Sequence, residues 1–360
     1  MKYNLKQLCL QTWKCAFSHD DQLFAYSSGN STVILVKWHQ LIRNGKSDET
    51  NKRDYLEIEC NHLVRSVSLS LMANLHKSTA FWHRTAHYKQ YFLITGHSSG
   101  RIRIWDIQSD CVSHIECSIH GILASSSFDG TLKLWDLIDD GNLLKSIKSD
   151  GKSLLGCRWA PDFQSLITFG LSKTANVYKA DTFSVSQQLS AHQHNVSAAD
   201  FSPDSRLIVT VSWDTTAILW NAFNGDILQI FHQLKPRPTL VWAGGENGHF
   251  IRSVSFSPDG THFATVADDG IWDLLECEEP AAVGTVSHGL CCTYSKSGQV
   301  LAVGTRLGSV NVFETHSSVK SLLFLCRIAI GRQLQSKSMD ANTDAIPQRL
   351  INYLRYKELT

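Results

Sequence analysis

Short runs of alternating apolar and polar residues cover most of this chain, a pattern typical of half-buried β-strands. The clearest stretch is residues 191–222, AHQHNVSAADFSPDSRLIVTVSWDTTAILWNA. It contains three runs rich in β-branched and apolar residues, separated by a Ser-Pro-Asp-Ser turn and a Trp-Asp-Thr-Thr turn. A meander this short cannot bury both of its faces. The pattern therefore predicts that the unit is repeated along the chain.

The repeat is visible in the aromatic residue that ends each unit. Aligning the chain on this residue gives seven positions, namely Trp38, Trp105, Trp135, Tyr178, Trp220, Trp272 and Phe313. The intervals from Tyr178 to Trp220 and from Trp272 to Phe313 are close to the ~40–45 residues of a four-stranded propeller blade. Turn-like segments in the same phase begin at Ser18, Ala160, Ser202, Ser257 and Ser295. We therefore predict an all-β fold, a seven-bladed β-propeller, in preference to a sandwich.

Blades three and six of this propeller are irregular. Only 30 residues separate Trp105 from Trp135, about 12 fewer than in a standard blade, so we expect the third blade to lack one strand, the innermost. In the sixth blade, the turn and the last strand, within the segment ADDGIWDL, are about four residues shorter than in the clearest repeat. The sequence alone does not distinguish defective blades from an imperfect gene model.

Three segments lie outside the regular repeats. Residues 43–55 are charged and contain Gly and Asn, and we expect a mobile loop. Residues 233–249, QLKPRPTLVWAGGENGH, lie at a junction between blades and form either an ordered connector or a substrate contact that includes Trp242. Residues 3–10 precede the first repeat. We expect them to close the ring by pairing with the last repeat, which ends at Phe313 without an outer strand.

Composition mainly excludes classes of function. The 34 Lys and Arg residues against 33 Asp and Glu give a net charge of +1, which provides no field that would favour nucleic acid or an anionic membrane. The N-terminus has no signal-peptide core, and no window approaches ~18 uninterrupted apolar residues. We therefore expect a soluble cytoplasmic or nuclear protein, whose ten cysteines are reduced core thiols.

Candidate ligand sets for a metal or cofactor are weak. The chain has no phosphate-binding loop and no dinucleotide fingerprint. Cys111 and Cys117 around His114, or His192 with His194, lack the spacing of a zinc site. We expect no metal and no cofactor.

His192, Ser212, Asp214 and Trp220 form the most specific polar set in the clearest repeat. Ser, His and Asp could be interpreted as a catalytic triad, but on a β-meander we expect them to stabilise the turn and the strands. The four residues resemble the structural His, Ser/Thr, Asp and Trp of WD repeats, which in that family hydrogen-bond across a blade. The third repeat keeps three of these residue types within SSSFDGTLKLWDL. We interpret the set as a structural tetrad and expect no catalytic residue.

A helical period replaces the strand pattern after Glu314. Leu322, Cys326 and Ile330 recur at i, i+4 and i+8, with Leu325 alongside, so they form an apolar stripe on a helix of about three turns. A polar linker follows. A second one-sided helical segment then begins with Ile346 and Pro347 and contains Leu350 and Leu354.

This tail carries a second resemblance. Ser321-Leu322 followed by Cys326 and Ile330 is similar to the small-Leu-x-x-x-Cys-x-x-x-aliphatic pattern of the SOCS box, a helical module that binds elongin B and C. The chain resembles the WD-repeat and SOCS-box family over nearly all of its 360 residues. The expected organisation is a WD-repeat β-propeller at residues 1–316 and a C-terminal α-helical SOCS box at residues 317–360.

The resemblance implies the substrate-recognition subunit of an elongin B/C-cullin-RING E3 ubiquitin ligase, which is itself not an enzyme. The propeller would bind an unknown protein substrate. The elongin-binding residues would be Ser321, Leu322, Leu325, Cys326 and Ile330, and the cullin-binding residues Ile346, Pro347, Leu350 and Leu354. The main alternative is a non-catalytic WD-repeat scaffold that assembles a signalling complex without ubiquitination. The apolar stripe would then be a helix that packs on the propeller itself.

One segment departs from the family. The cullin-selecting segment of the family reads Leu-Pro-aliphatic-Pro, whereas this chain has Asp344-Ala345-Ile346-Pro347 and keeps only the second half. The resemblance therefore supports binding to the elongins more directly than binding to cullin 5 and its RING protein.

Overall fold

A computed structural model shows the chain as a series of short antiparallel strands. The structure describes residues 3–5, 11–29, 31–38, 55–72, 90–108, 111–114, 122–136, 141–149, 152–232, 250–267, 270–275, 281–284 and 288–315. Within these ranges the chain forms 27 strands. No helix in the same ranges is long and apolar enough to cross a membrane.

The strands pair into seven sheets, which we number as blades 1 to 7 in chain order. The first strand of the chain, β1 (Tyr3–Leu5), belongs to the last blade. Blades 1 and 2 have four strands each: β2 (Cys15–Phe17), β3 (Leu23–Ser28), β4 (Thr32–Lys37) and β5 (Tyr55–Glu59), then β6 (Val64–Met72), β7 (Gln90–His97), β8 (Ile102–Gln108) and β9 (Cys111–His114). In both blades each strand pairs with the next strand along the chain.

Blades 3 to 5 continue this order. Their strands are β10 (Ile122–Ser126), β11 (Thr131–Asp136) and β12 (Asn142–Lys148), then β13 (Leu154–Trp159), β14 (Ser165–Gly170), β15 (Thr174–Lys179) and β16 (Val185–Ser190), then β17 (Val196–Phe201), β18 (Leu207–Ser212), β19 (Thr216–Asn221) and β20 (Ile227–His232). Blade 5 contains the clearest repeat of the sequence.

Blades 6 and 7 complete the ring. Their strands are β21 (Ile251–Phe256), β22 (His262–Ala267), β23 (Gly270–Leu275) and β24 (Ala281–Gly284), then β25 (Gly289–Tyr294), β26 (Val300–Thr305) and β27 (Val310–Glu314). The first strands of neighbouring blades contact each other. The contacting pairs are β13 with β17, β17 with β21, β21 with β25, β25 with β2, and β2 with β6. These strands form the inner wall of a seven-bladed propeller, as predicted.

Apolar side chains are buried between blades. One buried cluster joins Phe17 and Tyr26 of blade 1 to Val312 of blade 7, and another joins Val177 of blade 4 to Trp220 of blade 5. A single blade therefore leaves its faces uncovered. Stacking of repeats provides the core, as the shortness of the meander predicts.

Blade 3 has three strands within the described residues, whereas every other blade has four. Its first described strand, β10, pairs with the Trp135-bearing β11, as the second strand of blade 5 pairs with β19. The position without a described strand in this sheet is therefore the innermost one. Residues 115–121, which precede β10, lie outside the described ranges, so the absence of an innermost strand stays a prediction.

Blade 6 is shortened less than the sequence suggests. Two residues separate β22 from β23, where three separate β18 from β19, and β23 has the same six residues as β19. The expected deficit of about four residues was wrong, because the alignment placed Trp272 opposite Trp220.

Strand pairing gives the correct alignment of two blades. In blade 5, Trp220 lies opposite the second residue of the second strand. Val36 of blade 1 and Leu274 of blade 6 occupy the equivalent positions. Trp38 lies two residues after this position and Trp272 two residues before it. An aromatic residue is conspicuous in a sequence, but its cross-strand partner determines the register.

The ring is closed by the N-terminal strand. Tyr3, Asn4 and Leu5 pair with Val312, Asn311 and Val310, so β1 is the outer strand of blade 7. The predicted closure by residues 3–10 is confirmed for residues 3–5, and residues 6–10 are outside the described ranges. Tyr55, the last residue of the predicted loop at 43–55, lies in β5 instead. Residues 43–54 and 233–249 are not within the described ranges.

Asp21 provides a second connection across the seam between blades 1 and 7. Its carboxylate accepts hydrogen bonds of 2.6 Å from the backbone N–H groups of Lys296 and Ser297, in the first turn of blade 7. Asp21 itself adopts a φ of 55°, in the left-handed region that Asp and Asn tolerate best among residues with a side chain. One carboxylate therefore satisfies two amide groups of the last blade.

We expect Asp21→Ala to lower the free energy of unfolding by about 2 kcal/mol, because two amide donors lose a charged acceptor. Urea unfolding followed by tryptophan fluorescence measures the change. Asp21→Asn retains one acceptor oxygen and the preference for this φ, so it should cost less. Equal losses for the two variants would show that the carboxylate contact does not stabilise the seam.

Candidate functional site

A chain of hydrogen bonds crosses blade 5. The indole Nε1–H of Trp220 donates to Thr210 Oγ1 over 2.8 Å, and Thr210 Oγ1 lies 2.8 Å from His192 Nε2. On the other side of the imidazole, His192 Nδ1 lies 3.1 Å from Asp214 Oδ2. Because a carboxylate only accepts, Nδ1 carries the proton and Nε2 accepts from the Thr210 hydroxyl in the neutral ring. The four side chains thus form one continuous donor-acceptor series.

Asp214 is the most heavily hydrogen-bonded member of this series. It also accepts from the backbone N–H of Gln193 over 2.7 Å and from the N–H and hydroxyl of Thr216 over 2.9 and 2.6 Å. Burial alone would raise the pKa of Asp214, but the hydrogen bonds from His192, Thr216 and Gln193 outweigh it and lower the pKa to about 2. The side chain is therefore a buried carboxylate that ties a loop, a turn and a strand together.

Ser212, named from the sequence as the hydroxyl of the tetrad, has a different role. Its Oγ accepts a 3.1 Å hydrogen bond from the backbone N–H of Asp214, within the turn after β18. Thr210, two residues earlier on the same strand, holds the position between His192 and Trp220. A serine at the end of a strand commonly bonds to the following turn. The structure therefore assembles no Ser-His-Asp triad here.

A spacing of ten residues identifies the correct hydroxyl. Trp105 donates to Thr95 over 3.0 Å and Trp135 donates to Ser125 over 2.9 Å, each ten residues apart, as Trp220 and Thr210 are. The interval follows from the register of the second and third strands. The same ten-residue spacing between a hydroxyl residue and a tryptophan is present in the sequence of all three repeats.

The histidine of blade 2 lies on a different structural element from the histidine of blade 5. His97 Nε2 lies 2.8 Å from Thr95 Oγ1. Residue 97 belongs to the second strand, whereas His192 of blade 5 lies in the loop before the first strand. Blade 2 therefore links a tryptophan, a hydroxyl and an imidazole although its turn has Ser99 in place of aspartate.

The two faces of the ring carry different connections. Loops between blades and turns between second and third strands lie on one face, which we call the interblade face. Three aromatic side chains pack together there at tilted angles: His194 and Trp213 with ring centroids 5.6 Å apart, and Trp213 and Phe250 with centroids 5.5 Å apart. All three are half-buried. We call His194, Trp213 and Phe250 the aromatic patch.

Cationic and apolar side chains accompany the aromatic patch on this face. The Arg252 guanidinium lies 4.7 Å from the Phe250 ring centre, and that of Arg65 lies 4.0 Å from the Trp13 ring centre. Phe128 and Leu307, in turns equivalent to that of Trp213, are 63% and 55% exposed. Aromatic and arginine side chains are the types most enriched in protein interfaces. This face is therefore the better candidate for a protein contact.

The described residues assemble no cluster of metal ligands. Among the described residues, no three His, Cys, Asp or Glu side chains come together as a metal site. His192 and Asp214, the one His–Asp pair of the tetrad, are buried and fully engaged in the hydrogen bonds above.

Comparison with known proteins agrees with this architecture. The family model "WD domain, G-beta repeat" matches residues 108–136, 183–221 and 239–272. The human WD repeat and SOCS box-containing protein 1 is 36% identical over 388 aligned positions, which cover 96% of this chain and 91% of that protein. The chain belongs to the WD repeat and SOCS box-containing family. Proteins of the same name from Xenopus tropicalis and Danio rerio are 33% and 32% identical, each over 97% of this chain and 92% of their own length.

The repeats of this family member are offset from its blades. The matched segment 183–221 begins at β16, the outer strand of blade 4, and continues through the first three strands of blade 5. The matched segments 108–136 and 183–221 therefore each span two neighbouring sheets. Covalent continuity between blades adds to the packing that joins them.

The predicted SOCS-box positions of this family member lie beyond the last described residue, Thr315. They are the candidate elongin-binding residues Ser321, Leu322, Leu325, Cys326 and Ile330 and the candidate cullin-binding residues Ile346, Pro347, Leu350 and Leu354. Trp242, the candidate substrate contact, also lies outside the described ranges. Its insertion ends at residue 249, which precedes Phe250 in the sequence.

Proposed function

We propose that this chain is the substrate-recognition subunit of an elongin B/C-cullin-RING E3 ubiquitin ligase. The extent of the family match carries the proposal. An alignment over 96% of 360 residues leaves about 14 uncovered, fewer than the 44 residues of the tail at 317–360. The similarity to WD repeat and SOCS box-containing proteins therefore includes part of the tail as well as the propeller.

The chain would act by proximity and without chemistry of its own. A propeller that holds a substrate and a tail that holds a ligase raise the effective concentration of substrate lysines near the conjugating enzyme. The buried state of His192 and Asp214 supports this role, because neither side chain is available to a substrate.

In this proposal the tail binds the elongins through its apolar stripe. Leu322 and Cys326 are four positions apart in the sequence, the spacing at which an amphipathic helix would insert two side chains into a groove. The second segment, with Ile346, Pro347 and Leu350, would contact the cullin. A charged Asp344 in that contact lowers the affinity, because a carboxylate loses its hydration there.

The aromatic patch is the proposed substrate contact on the propeller. Trp213 and Phe250 provide rigid apolar area, and Arg252 provides a cation that is held against the Phe250 ring. Such residues give large binding energy for little loss of side-chain entropy.

Affinity capture from cells tests the tail. The wild-type chain should recover elongin B and elongin C, and Leu322→Asp or Cys326→Asp should lose both, because a carboxylate would have to be buried in the groove. Gln333→Asp introduces the same charge in the polar linker and should retain both elongins. Retention of the elongins by Leu322→Asp would exclude this binding mode and favour the scaffold alternative.

The same capture tests the propeller. Substrates are defined as proteins that the wild-type chain captures and that accumulate when residues 317–360 are deleted. Trp213→Ala combined with Phe250→Ala should retain the elongins and lose these proteins. Phe223→Ala removes an aromatic that is 66% exposed in the turn after β19, on the opposite face, and should lose neither. Unchanged substrate capture by the double variant would exclude the aromatic patch as the contact.

A further inference from the structure

Two cysteine side chains meet at the seam where the ring closes. Cys15 lies on β2, the inner strand of blade 1, and Cys291 lies on β25, the inner strand of blade 7. Their Sγ atoms are 3.6 Å apart, although 276 positions separate them in the sequence. Both are free thiols, and each side chain is only 2% exposed.

The surroundings leave room for these two sulfur atoms and little else. A Cβ atom at Gly304 would lie 2.7 Å from Cys291 Sγ and 2.7 Å from the Thr12 methyl group, so any side chain there would displace one of these groups. The apolar cluster around them contains Phe17, Tyr26 and side chains of both blades. Neighbouring side chains thus hold the two thiols against each other.

We propose that Cys15 and Cys291 are a modification site, at which hydrogen peroxide forms a reversible disulfide that locks the ring closed. A disulfide needs its sulfur atoms at about 2.05 Å, so the pair must approach by about 1.5 Å. Side-chain rotation and a small movement of the seam can supply this distance. The proposal is independent of the substrate-receptor function.

The contact between the two thiols favours one order of reaction. A hydrogen bond from the Cys15 thiol to the Cys291 sulfur lowers the pKa of Cys291, and the same contact raises the pKa of Cys15 well above its usual value. Cys291 is therefore the thiolate-forming partner and Cys15 the resolving thiol. The adjacent Cys292 contacts Ser253 and the Ala264 carbonyl instead, and burial raises the pKa of Cys292 to about 12.

One molecule of hydrogen peroxide is sufficient to form the disulfide. The Cys291 thiolate attacks one peroxide oxygen, the O–O bond breaks, and hydroxide leaves as Cys291 becomes a sulfenic acid. The Cys15 sulfur then attacks the Cys291 sulfur, the S–O bond breaks, and a second hydroxide leaves. The two thiol protons convert the hydroxides to water. Two thiols are oxidised by two electrons, and one peroxide is reduced to two water molecules.

A disulfide here would join the first and last blades covalently. The loop that it closes contains most of the propeller, and a long closed loop restricts the unfolded chain strongly. Peroxide reaches the pair through local opening of the seam, which requires no global unfolding. An oxidised ring could open at its seam only after reduction.

Treating the full-length protein with hydrogen peroxide and mapping its peptides by mass spectrometry tests the proposal. We expect a linked pair of peptides containing Cys15 and Cys291, which dithiothreitol separates. The oxidised wild type should melt at a temperature about 5 °C higher than the reduced protein. A vicinal Cys291–Cys292 bond, or irreversible oxidation of Cys291 without a linked peptide, would overturn the proposal.

Three variants complete the experiment. Cys15→Ala and Cys291→Ala should lose both the linked peptide and the rise in melting temperature, whereas Cys292→Ala should keep both. The peptide map of the wild type decides the assignment even if an alanine variant folds poorly. A peroxide-induced rise in melting temperature that persists in Cys15→Ala would assign the effect to other cysteines.

Discussion

Asp214→Ala is expected to lower the free energy of unfolding by about 3 kcal/mol at neutral pH. The substitution removes a buried carboxylate and leaves the His192 imidazole, the Gln193 N–H and the Thr216 hydroxyl without their acceptor. Buried donors that lose an acceptor retain their desolvation cost. Urea unfolding at pH 7, monitored by far-ultraviolet circular dichroism, measures the difference.

The effect of Asp214 should depend on pH in a defined direction. The folded-state pKa of Asp214 is about 2, below the value of about 3.9 expected in the unfolded chain. The unfolded state therefore takes up a proton first as the pH falls. The stabilisation by the ionised Asp214 carboxylate is complete above about pH 5. It is lost as the pH falls from about 5 to 2, which lowers the free energy of unfolding by about 2 kcal/mol. The wild type and Asp214→Ala should thus approach each other in stability as the pH falls through this range.

Asp129 supplies a matched control in blade 3. It accepts from the N–H and hydroxyl of Thr131 over 2.8 and 2.6 Å, as Asp214 does from Thr216, but it is exposed. Its described contacts include no imidazole. Asp129→Ala should cost much less than Asp214→Ala. Equal losses would show that the turn alone, and not the contact with His192, accounts for the stabilisation.

Gly170→Ala is also expected to cost about 3 kcal/mol, because no side chain fits at the end of β14. A Cβ atom there would lie 2.2 Å from the Ser153 carbonyl oxygen and 2.8 Å from the Leu154 Cα. Both are backbone atoms, and Leu154 pairs with Gly170 across the sheet. They cannot move away without disturbing the pairing of β13 with β14. Urea unfolding of the purified variant measures the loss.

Gly96→Ala is the control for this steric effect. Gly96 also lies near the end of the second strand of its blade, but its nearest neighbour to an added Cβ would be the Ser66 Cβ at 3.3 Å. This contact requires a shift of only a few tenths of an ångström, so the expected loss is much smaller. Similar losses for Gly96→Ala and Gly170→Ala would indicate a general effect of strand glycines on the unfolded chain.

Three of the four residues of the blade-5 tetrad were predicted correctly from the sequence. His192, Asp214 and Trp220 were identified from residue type and spacing, and the structure brings all three together. Thr210 was missed in favour of Ser212. Both hydroxyls lie on the same strand, and only the register of β18 against β19 places Thr210 between the imidazole and the indole.

The sequence by itself determined the all-β class, the seven blades and the strand that closes the ring. These features follow from local patterns, because strand alternation and the Pro, Asp and Gly residues of turns act over a few neighbouring positions. The sequence also predicted the helical tail, which remains a prediction.

Tertiary structure alone decided the alignment of blades 1 and 6, the role of Thr210, the packing of Trp213 against Phe250 and the meeting of Cys15 with Cys291. Each depends on a partner that strand pairing or ring closure brings from elsewhere in the chain. Val36 in β4 and Trp38 just after it are both apolar, so the pattern cannot tell which of them pairs with Phe24 across the sheet. Two cysteines 276 positions apart share no local signal, and they become neighbours only when blade 7 packs against blade 1.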